Sequence, residues 1–293
     1  MGGDSGQGPG FCEDARMGGR AMRGWFWADG RWGTLEEEVL RPGDPGALQG
    51  KGVFETFRWT AEGVPCLEQH LARLGWGALR QGCAPLPPLP YGELLGELLK
   101  RSGLPQGRAR LTLRPPGVRP RLLIQLCPLG PDFERKRREG VCLSLSPFRR
   151  SAQDPTVAIK LVSRGFLDRA LALAQAEGAD DALLLSEEGV VLETCTANLF
   201  LIDAKGRLAT TTICDAFLPG ITRARVLRAA RSLGWEMGNN WLKKEDLGSA
   251  REAFVTNAVL GLAPVRRLGP WHFGPGPKSL ELQRILDDGP KES

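Results

Sequence analysis

Val157-Ala158-Ile159-Lys160-Leu161-Val162 sets one lysine inside an apolar run that reads as a strand. Excluding water from an ammonium disfavours its charge, so burial lowers the amine pKa toward what a Schiff-base or proton-transferring lysine requires. The alternative reading is an edge-strand lysine whose stem lies on apolar surface while its head reaches solvent. Lysines are scarce, nine against thirty arginines, and the other eight lie beside turns, charges or helix ends.

Other stretches invite a ligand. Leu218-Pro219-Gly220-Ile221-Thr222-Arg223 enters a predicted helix, Ile221 to Leu233, with Val226, Leu227, Ala230 and Leu233 on one face and Gly234 as its stop. No Ser, Asp or Asn side chain precedes Ile221, so open amides and the helix dipole suit an anion, with the Thr222 hydroxyl nearby. Glu193 follows a predicted strand in Val191-Leu192-Glu193-Thr194-Cys195-Thr196-Ala197-Asn198-Leu199-Phe200. It reads as a carboxylate able to keep a ring nitrogen protonated, or as a surface loop glutamate. Arg58 on the strand Val53-Phe54-Glu55-Thr56-Phe57-Arg58 offers a planar fork to a phosphate, or is an exposed strand end. His70 reads as a helix-packing residue, and Thr256-Asn257-Ala258 as a turn offering backbone amides.

Composition narrows the class. A chain of 293 residues with 42% apolar and 25% charged residues is neither disordered nor fibrous and is long enough for two domains. No apolar run reaches membrane-spanning length, so a soluble protein without a membrane partner is expected. Seven scattered cysteines without C-x-x-C spacing argue against disulfides and zinc and for a reducing, cytoplasmic setting. Two histidines are too few for His-rich metal ligation, so no metal is expected. The run Arg135-Lys136-Arg137-Arg138 reads as a solvated charge run rather than a nucleic-acid site, and the net charge of +5 fits a small anionic ligand at least as well.

Residues 1–21 are Gly-rich and read as a disordered tail, with Met22 a plausible start. A smaller α+β domain is expected over 22–145. It opens with a hairpin across Asp29-Gly30 and continues through a strand Val53–Thr60, a helix carrying Leu67, Leu71 and Leu74 to Gly82, and a helix Gly92–Lys100. Strands follow at Ala109–Leu113, Leu122–Leu126 and Val141–Leu145. The polar, Pro-punctuated stretch 146–155 reads as an interdomain linker. A larger domain over 156–288 carries a helix Phe166–Glu177 and strands at Ala182–Leu185, Val190–Leu192, Leu199–Ile202 and Ala253–Thr256. Pro115–Arg121 and Ala263–Phe273 read as specificity loops, and 289–293 as a tail.

In order along the chain, Gly50-Lys51-Gly52-Val53-Phe54-Glu55-Thr56-Phe57-Arg58, His70-Leu71-Ala72-Arg73-Leu74, Ile159-Lys160, Glu193 through Asn198-Leu199-Phe200, Leu218-Pro219-Gly220-Ile221-Thr222-Arg223 and Thr256-Asn257-Ala258 form one set. That set resembles the class IV pyridoxal-phosphate enzymes: branched-chain aminotransferases, D-amino acid aminotransferases and aminodeoxychorismate lyase. The likeness spans roughly 24–286. It implies a mixed α/β and α+β chain of fold type IV, with pyridoxal 5'-phosphate in a cleft between two domains and a homodimer. By the same likeness Lys160 binds the cofactor covalently and shuttles protons, and Glu193 pairs with the ring nitrogen. Arg58 and the amides of Ile221 and Thr222, entered through Gly220, grip the phosphate opposite Thr256, and Asn198 and Asn257 are further cofactor contacts.

Within the family, branched-chain aminotransferases place a tyrosine five residues after the lysine. Here that place is Gly165, preceded by Arg164, and the sole tyrosine is Tyr91. This arrangement and the Cys195–Phe200 run look like the lyase, with Arg164, Thr56 and Ala258 as substrate contacts. Lys51 where the family often has Asp, and Thr211-Thr212 in place of its Thr-Pro, depart from the pattern. The expected reaction converts 4-amino-4-deoxychorismate to 4-aminobenzoate and pyruvate, for folate synthesis. The alternatives are an aminotransferase of branched-chain or D-amino acids, and a non-catalytic phosphate-ligand binder.

Overall fold

A computed structural model describes residues 24–37, 50–151, 153–154, 156–212 and 217–288, together with two short strands, β1 (Ala15–Met17) and β2 (Arg20–Met22), which pair antiparallel. Part of the stretch expected to be a disordered tail is therefore paired strand; the expected tail at 289–293 lies outside the described residues.

The Asp-Gly hairpin forms as the sequence predicts. Asp29 and Gly30 both take positive φ, 46° and 95°, the conformation a two-residue hairpin turn demands. They join β3 (Trp25–Ala28) to β4 (Arg31–Thr34), and the Asp29 carboxylate accepts the amides of Arg121 and Leu122. With β5 (Val53–Thr60), β6 (Gln106–Leu113) and β7 (Leu122–Cys127) they build a five-stranded antiparallel sheet, ordered β4-β3-β7-β6-β5. Strand alternation gives β5 two characters. Val53, Phe57 and Trp59 face a core shared with α1 (Leu67–Arg80) and α2 (Tyr91–Ser102), while Phe54, Thr56 and Arg58 point the other way. Each fully buried leucine of that core, such as Leu74 or Leu95, contributes about 2 kcal/mol.

Downstream come α3 (Phe133–Glu139), β8 (Val141–Arg150), α4 (Gly165–Ala176), β9 (Asp181–Ser186), β10 (Val191–Thr194), β11 (Asn198–Ile202) and β12 (Leu208–Ala209). After them follow α5 (Ile221–Ser232), α6 (Lys244–Leu247), β13 (Glu252–Asn257), β14 (Gly261–Leu268), β15 (Trp271–His272) and α7 (Pro277–Asp288). They form an eight-stranded sheet in the order β10-β9-β8-β14-β13-β11-β12, with β15 beside β14. Among the described strands, β8 pairs in parallel with β9 and β14, and the other strand-to-strand pairs are antiparallel. β9 and β11 are buried along their whole length, so they read as apolar runs rather than alternations. α5 and α7 pack Val226, Ala230, Leu282 and Leu286 on Phe200 and Phe254, and α4 packs Ala170 and Ala174 on Ala182 and Leu184.

Several expectations need correction. β8 runs through residues 146–150, so that part of the expected linker is strand. Val141–Leu145 belongs to the second sheet rather than the first, because its backbone pairs with β9 and β14. Ala263–Phe273 is largely β14 and β15, not a loop. The basic run lies on α3: Lys136 Nζ reaches Asp132 at 2.6 Å, Arg135 reaches Asp180 at 3.0 Å, and Arg137 donates to Asp287 and to the Leu260 carbonyl. These charges tie helices to the sheet. Among the described residues, no helix is long and apolar enough to cross a membrane, and the described cysteines are free buried thiols.

The outer edge of β5 carries the join between the two sheets. Phe54 N donates to Lys160 O at 2.9 Å, Val162 N to Gly52 O at 3.0 Å, and Arg58 N to Ala258 O at 2.9 Å.

Candidate active site

A cavity of about 890 Å³ opens between the sheets, within the range of ligand sites. Lys160 lines it, but not from a strand. The residues before it form turns, and only Leu161 makes an isolated bridge, to Val53. Gly77 of α1 lets the helix lie against Ile159, where a Cβ would stand 3.2 Å from Ile159 Cγ2. The Lys160 amine sits 4.8 Å from the centroid of the Phe54 ring. Burial brings its pKa down to about 8; the Glu55 carboxylate opposes that shift, and the Arg73 and Arg164 cations add to it.

Glu193 lies within β10 rather than after it and is only 7% exposed, so it is no surface glutamate. Arg150 Nη1 donates to its Oε1 at 2.8 Å, Asn198 Nδ2 to its Oε2 at 3.3 Å, and the Leu218 amide reaches both oxygens at 3.3 and 3.2 Å. Burial raises the carboxyl pKa, and the Arg150 charge works against that rise. Asn198 also donates to Leu218 O at 3.1 Å and is the cross-strand partner of Thr256. Glu193, Asn198, Thr256 and the entrance of α5 are thus knit together.

Gly220 is the N-cap of α5, and no side chain caps the helix. A Cβ there would lie 2.0 Å from Asn198 Oδ1, so only glycine lets the turn approach so closely. Gly220, Ile221, Thr222 and Thr256 all line the cavity, and Thr256 Oγ1 is buried without a hydrogen-bond partner in the protein.

Arg73 also lines the cavity and donates to Pro219 O at 2.7 Å, next to that glycine. Its guanidinium is fixed by the Glu55 carboxylate through bonds of 2.7 and 2.8 Å, and His70 Nδ1 meets the same carboxylate at 2.9 Å. Burial alone would raise Glu55, but His70 and Arg73 outweigh it and bring its pKa down to about 2.

Arg58 is not brought to the described cavity wall. Its Cζ lies 5.5 Å from the ring centroid of Phe133, and it is the phenyl ring that faces the cavity. The arginine at the α5 entrance is Arg73, on the same helix face as His70 three residues earlier. That spacing was the available signal. Nothing in the sequence singles out Arg150.

Thr56, Arg164 and Ala258 line the cavity as expected. Arg164 donates to Cys195 O at 3.1 Å and to Asp168 at 3.2 Å. Asn257 lines the cavity too, but its Oδ1 accepts the Val259 and Leu260 amides at 3.0 and 2.7 Å and so shapes the turn. None of Pro115–Arg121 or Ala263–Phe273 lies on the described cavity wall of the single chain. Arg108 and Arg110 are there instead. The Phe54 ring centroid has Arg110 Cζ at 3.7 Å and Arg164 Cζ at 6.0 Å.

The amino-transferase class IV family model matches residues 52–268. An aminodeoxychorismate lyase of Bacillus subtilis is 31% identical over 268 residues, covering 85% of this chain and 88% of its own. A putative branched-chain-amino-acid aminotransferase of Methanocaldococcus jannaschii is 28% identical, covering 82% and 86%. Among solved structures, a putative 4-amino-4-deoxychorismate lyase from Legionella pneumophila superposes with a TM-score of 0.75 at 27% identity, over 86% of this chain and 96% of that one.

Proposed function

The chain belongs to the class IV aminotransferase family, with its fold type IV architecture and its dependence on pyridoxal phosphate, and from that premise we propose that it is a 4-amino-4-deoxychorismate lyase. The observation that carries this reading is the cationic wall around Phe54. Arg108, Arg110 and Arg164 suit a substrate bearing two carboxylates, whereas an aliphatic amino-acid side chain calls for an apolar pocket. The identity to the Bacillus lyase supports it. So does the tyrosine inventory: Tyr91 donates to Pro87 O at 2.7 Å and is absent from the described cavity wall.

The residues present fit the cofactor. Thr256 Oγ1 is a buried hydroxyl in want of a partner, and the Gly220 turn is a cradle that any side chain would fill. Arg73, the amides of Ile221 and Thr222, and Thr256 would hold the phosphate, and Glu193, kept in place by Arg150 and Asn198, would pair with the ring nitrogen. When bound, pyridoxal phosphate supplies an aldehyde that captures the substrate amine and a ring that accepts electrons from the neighbouring C–H bond. Lys160 would hold the cofactor covalently and, once its amine is free, would take the proton from the amine-bearing carbon of the substrate. With an amine pKa of about 8 it would return that proton to the enolpyruvyl group, which leaves as pyruvate as the C–O bond breaks and the ring becomes aromatic.

A cytoplasmic homodimer belongs to the same proposal. Trp76 and Leu79 on α1 and Phe166 and Leu173 on α4 are large apolar side chains left at the surface of one chain, as a subunit interface requires. Purified holoenzyme given aminodeoxychorismate and no keto acid is expected to release pyruvate. Transfer of the amino group to 2-oxoglutarate at a comparable rate, without pyruvate release, rejects the lyase in favour of an aminotransferase.

A further inference from the structure

Asp181, the first residue of β9, carries a buried carboxylate that no step above uses. Thr194 Oγ1 donates to it at 2.8 Å and Thr196 Oγ1 at 2.6 Å, and the amides of Cys195 and Thr196 donate at 3.1 Å. Burial raises its pKa, and these bonds work against that rise. A carboxylate sunk among neutral donors is costly to keep, so what its donors do is informative. All of them belong to one turn, 194–197, closed by Thr194 N donating to Ala197 O at 2.8 Å. Glu193 and Asn198 flank that turn, and Asn198 Nδ2 donates to Glu193 Oε2 at 3.3 Å.

The strand that carries Glu193 needs such an anchor. β10 pairs with β9 at Val191 opposite Leu185 and again at Thr194 opposite Leu183, so β10 holds one residue more than β9 between these pairs. That bulge falls at Leu192-Glu193, and a bulge re-aims the side chains it carries. Past it, simple alternation no longer decides which residue faces the cavity, and a slip of one residue would turn each side chain to the opposite face. Where pairing resumes, the Cys195 amide is shared between Ala182 O and Asp181 Oδ1, both at 3.1 Å. The Asp181 carboxylate thus grips the chain where the bulge ends. Resting on the pairing of Glu193 with the ring nitrogen, and not on the lyase reading, we propose that Asp181 is the positioning residue for Glu193: by pinning the turn 194–197 it fixes the register of the bulged strand and keeps Glu193 toward the cofactor ring.

The test is a double-mutant cycle with Glu193→Gln, read by titrating apoprotein with pyridoxal phosphate and by the visible absorbance of each holoenzyme. Asp181→Asn, which places an N–H where an acceptor is needed, should weaken cofactor binding by about fivefold to tenfold. Its visible band should move in the direction that Glu193→Gln moves it. Thr196→Val removes the shortest of the bonds from an exposed residue and should act alike where Asp181→Asn fails to fold, while Thr196→Ser, which keeps the hydroxyl, should stay within about twofold of wild type. In the Glu193→Gln background Asp181→Asn and Thr196→Val should each cost less than about twofold, because residues that act through one another are not additive. Wild-type affinity and absorbance in Asp181→Asn overturn the proposal, as does a loss of the same size with and without Glu193. A Glu193→Gln protein indistinguishable from wild type rejects Glu193 as the ring partner and the positioning role with it; a Glu193 effect without an Asp181 effect rejects the positioning role alone.

Discussion

The backbone amide of Phe54 donates to the carbonyl of Lys160 at 2.9 Å, and this bond fixes the lysine to the free edge of β5. The same strand sends Glu55 to the Arg73 guanidinium and Phe54 to the amine, so the lysine and the arginine at the mouth of α5 are held by neighbouring residues. The site is set by one strand edge and what docks on it.

Arg73, which lines the cavity and donates to Pro219 O, is proposed in place of Arg58 as the arginine of the phosphate grip. Arg73→Met is expected to weaken pyridoxal phosphate binding by on the order of tenfold to a hundredfold, the loss of a charge-assisted contact. Arg58→Met, which removes a side chain stacked behind Phe133, should leave that affinity within about threefold. Equilibrium titration of the two apoproteins measures both. The opposite order would return the role to Arg58.

The lowered pKa of Lys160 has a kinetic consequence. Only the neutral amine attacks an aldehyde, so the rate at which apoprotein captures pyridoxal phosphate should rise with pH through about 8 and level off above it. An unburied lysine would keep gaining toward 10.5. Stopped-flow absorbance across pH 6.5–10 (about the practical range for such an amine) reads the midpoint directly.

The Arg150 charge works against the rise that burial imposes on the Glu193 carboxyl pKa. Arg150→Met removes that counter-charge, so the carboxyl pKa moves further up and the acid limb of the pH–activity profile should shift to higher pH. The unpaired carboxylate also costs about 3 kcal/mol of stability near neutral pH, measurable by urea unfolding. Burial raises the pKa of Glu193, so the penalty should relax as pH falls through the folded-state value and the group becomes neutral.

Much of this was legible in the sequence. The Asp-Gly hairpin, the Gly220 helix entrance and the apolar setting of Lys160 are local signals: a turn that needs positive φ, a helix without a capping side chain, a charge among aliphatics. The misplaced elements depend on pairing between distant residues. Val141–Leu145 looks like any strand, and only its parallel partners Asp181–Leu183 and Val265–Leu268 assign it to the second sheet. The strand that carries Arg58 does not reveal where its guanidinium points, and the structure sets it against Phe133. Arg73 reaches Pro219, 146 residues away in sequence. Arg150 and Glu193 are likewise 43 residues apart, and no local pattern joins them.

The most direct measurement is borohydride reduction of the yellow holoenzyme followed by peptide mass spectrometry. The account predicts a single pyridoxyl adduct, on Lys160, and a Lys160→Ala protein that binds the cofactor without forming any adduct. An adduct on another lysine, or undiminished labelling of Lys160→Ala, would contradict it.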